Sequence, residues 1–170
     1  MEQTEELLVK VVLVGSTMVS KTCIFERISK DKFNSEYKST IAVEFSSFRS
    51  ADDRYRYQLW DNSSTTKYKG ATTAIFRRTS IIALVFDLSN KSTFDSLETV
   101  FWPVLKAHAP ESAELLVIGN KSDLTREVRV EEAEGWALSH NAFYLEISAK
   151  DSLKETIVSK LEEITNKIFR

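Results

Sequence analysis

The sequence predicts an α/β fold: a six-stranded, mostly parallel sheet with helices on both faces. Three observations carry this. Apolar, β-branched runs alternate along the chain with segments of helical spacing. Two of those runs, Ile81–Phe86 and Leu115–Ile118, are continuously apolar, as strands buried on both faces are. Only four Gly and two Pro punctuate the 170 residues, with no repeat or low-complexity tract, so one domain is expected.

In order, the first strand ends in Val9–Val14 and passes through a small-residue loop into a helix from Cys23 to Lys30. Asp31–Thr40 is polar and aperiodic, and reads as a loop. Ala42–Arg49 alternates toward a strand, with Val43, Phe45 and Ser47 on one face and Phe48 breaking the pattern. Ala51–Arg54 is a turn, Tyr55–Trp60 a second strand, and the two form a hairpin. Asp61–Gly70 is a second polar loop and Thr73–Thr79 a short helix. Leu88–Ala109 contains a helix with Phe94, Leu97, Val100, Phe101 and Leu105 at helical spacing. Val130–His140 is a helix with Ala133, Trp136 and Ala137 on one side. Phe143–Ile147 is the last strand. Ser152–Phe169 is an amphipathic helix with Leu153, Ile157, Leu161, Ile164 and Ile168 on its apolar face.

Composition narrows the function. A hydrophobic content of 42%, a charged content of 28% and a net charge of −2 fit a soluble globule and give no electrostatic case for nucleic acid. No run is long enough to span a bilayer. Acidic Met1–Glu6 does not resemble a signal peptide. One cysteine, Cys23, excludes an internal disulfide and fits a reducing compartment; it reads as a small packed residue.

Ligands of parallel sheets bind beyond the C-terminal strand ends, and the candidate motifs all follow strands. Gly15-Ser16-Thr17-Met18-Val19-Ser20-Lys21-Thr22 approximates G-x-x-x-x-G-K-[ST], with Ser20 at the second Gly. Such a loop aims backbone N–H groups and a helix N-terminus at one anion, Lys21 adds charge, and Thr22 offers a hydroxyl to Mg²⁺. The alternative is a βα turn with a solvated Lys21. Asp61, at a strand end, either supports Mg²⁺ or makes a turn. Asn120-Lys121-Ser122-Asp123 follows a buried strand. A carboxylate there accepts two parallel hydrogen bonds, which guanine offers and adenine does not. Asn120 can tie neighbouring loops together and the Lys121 stem can lie on a base plane. Otherwise the segment is a polar turn. Ser148-Ala149-Lys150 follows the last strand.

Taken in order, these motifs resemble the Ras superfamily of small GTPases, the Rab branch above all, from Lys10 to Phe169. The resemblance rests on Asn120–Asp123, Ser148–Lys150, Ser39–Phe45, Leu59-Trp60-Asp61 and Val85–Ser89. It implies a three-layer P-loop G domain that binds GDP or GTP with Mg²⁺. Gly15, Thr17, Met18, Val19, Ser20, Lys21 and Thr22 would form the phosphate loop, with Tyr37, Thr40 and Ser64 completing it. Thr22, Thr40 and Asp61 would serve the metal. Phe33, Asn120, Lys121, Asp123, Ser148, Ala149 and Lys150 would form the guanine site, the Ala149 backbone contacting the guanine carbonyl. Phe33 can equally cap the core, and Tyr37 can equally contact a partner. Effectors and regulators would dock on Tyr37–Phe45 and Asn62–Thr73.

The departures cluster at the phosphate end. Besides Ser20, Thr17 stands where the family often has a smaller residue. In the family's D-x-x-G-Q, Ser64 replaces the Gly that grips the γ-phosphate and Thr65 the catalytic Gln that orients water. Thr66-Lys67 then replaces an acidic residue. The expectation is a Rab-type GDP/GTP switch in vesicle trafficking with very slow GTP hydrolysis. The alternative is a pseudo-GTPase, an interaction module with weak or no nucleotide binding. A P-loop kinase or ATPase is disfavoured by the guanine motifs. No C-terminal Cys precedes Arg170, so no lipid anchor is evident. The expected location is cytoplasmic, or peripheral to endomembranes where a lipidated tail follows an excised G domain.

Overall fold

β1 (Leu7–Gly15) lies at the centre of the sheet in a computed structural model that describes residues 5–35, 44–61 and 74–170. The strands run in the order β2-β3-β1-β4-β5-β6. β3 (Tyr55–Asp61) and β4 (Ile81–Asp87) flank β1 in parallel, and β5 (Glu114–Asn120) and β6 (Phe143–Glu146) continue in parallel from β4. β2 (Glu44–Arg49) closes the other edge antiparallel to β3. The predicted sheet and hairpin are therefore present. The register sets Gly15, Asp61, Asp87, Asn120 and Glu146 along one edge of the sheet.

Alternation along β1 divides the core in two. Val9, Val11 and Leu13 face α1 (Lys21–Lys30) and the last helix α5 (Lys154–Ile168), meeting Ile24, Ile28, Ile157, Leu161 and Ile164. Val12 and Val14 face the opposite layer, with Phe94, Leu97, Leu105, Ala133 and Ala137. The last two lie on α4 (Val130–Ser139), on the predicted face.

Four expectations need correction. β2 does not lose its alternation at Phe48. Phe45 packs on Trp60, and Phe48 stacks on Tyr57 from the opposite face, so both faces carry an aromatic. Of the helix expected over Thr73–Thr79, Ala74 and Ile75 are helical, 76–78 form a turn, and Thr73 lies outside the described residues. Lys10 holds this segment to the sheet through the carbonyls of Ile75 and Arg77. The helix after β4 is not uniform. α2 (Lys91–Ser96) opens on Asn90, whose side chain accepts from Ser92 N–H, and runs into a π turn over Leu97–Phe101 before α3 (Trp102–His108). The Trp102 N–H reaches back to Leu97. Pro103 explains the wide turn: it has no N–H, and in an α-helix its ring would strike the carbonyl four residues back. The turn leaves Val100 46% exposed while Leu97 and Leu105 stay buried. Finally, Leu153 precedes α5 and is 69% exposed. The buried face of α5 instead includes Thr165, which accepts from the Tyr57 hydroxyl at 3.0 Å and donates to Leu161 O at 2.7 Å.

Candidate functional site

The loop from β1 to α1 is shaped by one glycine and one buried apolar anchor. A Cβ on Gly15 would lie 2.3 Å from the Val85 carbonyl oxygen, so no other residue fits there. Val19 is fully buried and fixes the loop to the core, while Thr17 and Met18 are exposed. Met18 and Ser20 both adopt left-handed backbone, at φ 65° and 69°. Ser20 thus takes, at the position of the second Gly, a conformation that glycine adopts freely. The strain lies in its own backbone, at a cost of about 1–2 kcal/mol for an L-residue. Ser20 nonetheless starts the helix, its carbonyl accepting from Ile24 N–H at 3.1 Å. The neighbouring Ser16 hydroxyl is hydrogen-bonded to Ser96 of α2 at 2.9 Å.

Lys21 folds back over this loop. Its ammonium donates to the carbonyls of Gly15 at 2.9 Å and Ser16 at 2.8 Å, and the residue is only 7% exposed. Burial draws its pKa down to about 8, and the Asp61 carboxylate offsets part of that shift. A buried ammonium held by two neutral carbonyls has far more to gain from an anion.

Asp61 ends β3 opposite the first turn of α1, and Thr22 Oγ1 donates to its Oδ2 at 2.6 Å. Its second oxygen, Oδ1, is buried with no hydrogen-bond partner among the described residues. Burial raises the Asp61 pKa against the opposing pull of Thr22 and Lys21. A hydroxyl beside a buried carboxylate with an unused oxygen fits a hard divalent cation such as Mg²⁺, which prefers a few oxygen ligands completed by water and phosphate.

The other half of the site gathers around Asn120, which is fully buried at the end of β5. Its Nδ2 donates to Val19 O at 2.9 Å, and its Oδ1 accepts from Ala149 N–H at 3.0 Å. One side chain thus joins the β1–α1 loop to the loop after β6. Lys121, in left-handed backbone, extends back to Met18 O at 2.8 Å and to Asp87 Oδ2 at 3.1 Å. Asp123 is exposed, and one of its oxygens accepts from the Ser148 hydroxyl at 2.8 Å. Ser148 and Ala149 are buried, and Ser148 is braced by Ser152 and Asp151. The Asp123 carboxylate is exposed above Ser148, and Lys150 is exposed in the same loop as Ser148 and Ala149. Phe33 is exposed in the loop after α1 and lies outside both cores. Cys23 is half-buried against the core beneath the site, and burial pushes its thiol pKa up.

Two residues of this site escaped the sequence reading. Asp87 is buried at the end of β4 and holds Lys121. Arg27 on α1 donates to the backbone carbonyls of Ala149 and Lys150. Asp87 lies within a stretch that carries the family resemblance, so that signal was available; a lone arginine in a helix carries none. Tyr37, Thr40, Ser64 and Thr65 lie outside the described residues, as do 37–43 and 62–73 of the two expected docking segments. Of those segments Phe45 is described: it is exposed, with its ring 4.8 Å from Trp60. Among the described residues no helix is long and apolar enough to cross a membrane.

Comparison with known proteins agrees with this geometry. Residues 10–170 match the Ras family. The chain is 39% identical to the Ras-related protein Rab-32D of Dictyostelium discoideum, with 96% of the chain and 76% of that protein covered. It is 31% identical to human Ras-related protein Rab-8B, with 100% and 84% covered, and 32% identical to Ras-related protein Rab11B of Nicotiana tabacum, with 99% and 78% covered.

Proposed function

The chain belongs to the Ras family, as a Rab-like small GTPase, and from that premise we propose that it is a guanine-nucleotide switch with impaired hydrolysis. As a single domain it binds GDP and GTP with Mg²⁺. Lys21 and the loop from Gly15 to Thr22 hold the phosphates, Thr22, Thr40 and Asp61 serve the metal, and Asp123 with Ala149 reads guanine. Effectors and regulators engage Tyr37–Phe45 and Asn62–Thr73, in trafficking of the Rab type. The loss of Gly at Ser64 and of Gln at Thr65 slows hydrolysis.

The observation that carries this reading is Asn120. A buried carboxamide that satisfies one loop with its donor and another with its acceptor holds the base-reading and phosphate loops together. A second reading, the pseudo-GTPase, is favoured by the left-handed Ser20 alone. Denaturing the purified protein and identifying the released nucleotide separates the two. Stoichiometric GDP or GTP is expected. An empty protein that also fails to bind added GDP with Mg²⁺ would establish the pseudo-GTPase.

A further inference from the structure

Arg27 stands on the face of α1 that looks toward the loop after β6. Its Nε donates to Ala149 O at 3.0 Å and its Nη2 to Lys150 O at 2.8 Å. The third nitrogen, Nη1, is 3.2 Å from Asp31, one turn further along α1. The guanidinium is a planar fork, and two of its donors on one side match two successive carbonyls. The side chain is 14% exposed; its bond to Ala149 O is partly buried and its bond to Lys150 O lies at the surface. Ala149 is therefore gripped from both sides, its N–H by Asn120 and its carbonyl by Arg27. α1 cannot yield easily, because Ile24, Phe25 and Ile28 are buried in the core. The same helix begins at Lys21.

We propose that Arg27 is a positioning residue for base recognition: it fixes the Ala149–Lys150 backbone against the phosphate-binding helix and so sets the direction of the Ala149 N–H, which a guanine carbonyl would share with Asn120 Oδ1. Arg27 does not touch the ligand; it acts through Ala149. The inference rests on the guanine-nucleotide reading above. Lysine cannot replace it, since one ammonium on a flexible stem lacks the fork that serves both carbonyls at once.

The test compares GDP, IDP and inorganic pyrophosphate on the nucleotide-stripped protein, on Arg27→Ala and on Arg27→Lys. IDP keeps the ring carbonyl and ring N–H of GDP but lacks the exocyclic amine that faces Asp123. Pyrophosphate probes the phosphate loop alone. Arg27→Ala should weaken GDP and IDP by the same factor, about tenfold, and leave pyrophosphate unchanged. Arg27→Lys keeps the stem and the charge, so it serves if the alanine variant does not fold, and it should recover only part of the loss. An equal loss of pyrophosphate would mean that α1 has merely loosened, and would overturn the proposal. So would a loss confined to GDP, which would place the effect at Asp123, or unchanged GDP binding in both variants. Failure of the unmodified protein to bind GDP would instead overturn the functional reading itself.

Discussion

The Thr22 hydroxyl points at Asp61 Oδ2 from 2.6 Å and leaves Oδ1 of the same carboxylate buried and, among the described residues, unpaired. A buried carboxylate oxygen without a partner is costly to the fold, and a cation there would offset that cost. Asp61→Asn keeps the shape and removes the charge. It should abolish the Mg²⁺-dependent part of GDP affinity, at least about tenfold. It should also stabilise the ligand-free protein by about 1 kcal/mol at pH 7. The sign follows from the raised pKa: the native state prefers the protonated acid, so stability falls as pH rises through the native pKa. The gain from Asn should therefore shrink toward pH 4. Thermal melts with and without Mg²⁺ at both pH values check this.

Lys21 gives a prediction of opposite sense. Its native pKa of about 8 lies below the ordinary 10.5, so the folded protein binds fewer protons than the unfolded chain between those values. Ligand-free stability should rise across that window by roughly 3 kcal/mol, and Lys21→Met should remove the rise. Phosphate favours the charged ammonium, so GDP binding at pH 9 should take up about one proton. Calorimetry in two buffers of different ionisation heat measures it. No uptake would mean that Lys21 does not meet the phosphates.

Ser20→Gly should relieve the left-handed backbone and tighten GDP by roughly 1–3 kcal/mol, as a charged hydrogen bond is regained. Ser20→Ala separates the causes. If the Cβ is the obstacle, alanine binds GDP no better than serine; if the hydroxyl interferes, alanine approaches glycine. Fluorescent GDP titration of the three proteins decides.

Asp123→Asn exchanges one acceptor for a donor and should shift preference from GDP to XDP, whose ring presents a carbonyl there. Competition with GDP, XDP and ADP is the measurement. Equal affinity of the unmodified protein for ADP and GDP would sink the assignment of this carboxylate.

Single-turnover hydrolysis of preloaded GTP should run one to several factors of ten below that of a small GTPase that keeps the Gln, each factor being about 1.4 kcal/mol of barrier. Thr65→Gln should recover part of the rate. A rate equal to that of an ordinary Rab protein would refute the impairment.

The sheet was legible because burial on both faces writes itself into unbroken apolar runs, Ile81–Phe86 and Leu115–Ile118, and because the strands outside the β2–β3 hairpin alternate with helical segments. Asn120 was legible because it opens a short motif, although the backbone atoms it bonds lie 101 and 29 residues away. Arg27 was not, because no motif surrounds it and its partners, 122 and 123 residues away, are backbone atoms that carry no letter in a sequence. Thr165 escaped for a related reason. A threonine in an amphipathic helix looks solvated until the Tyr57 hydroxyl arrives from β3. Val100 went wrong because helical spacing presumes a constant turn, and Pro103 widens it. Leu153 shows that a residue in phase with a face need not lie inside the helix.

The double use of Asn120 has a kinetic consequence. Asn120 ties the phosphate loop to the base loop, Lys121 adds a second tie to Met18 O, and Arg27 holds the base loop to α1, so the two loops are coupled. In the proposed switch a nucleotide held between them is therefore expected to leave in one exponential step, which a displacement time course measures. Anything that hastens release, whether a partner pressing on either loop or a substitution within it, hastens the whole event.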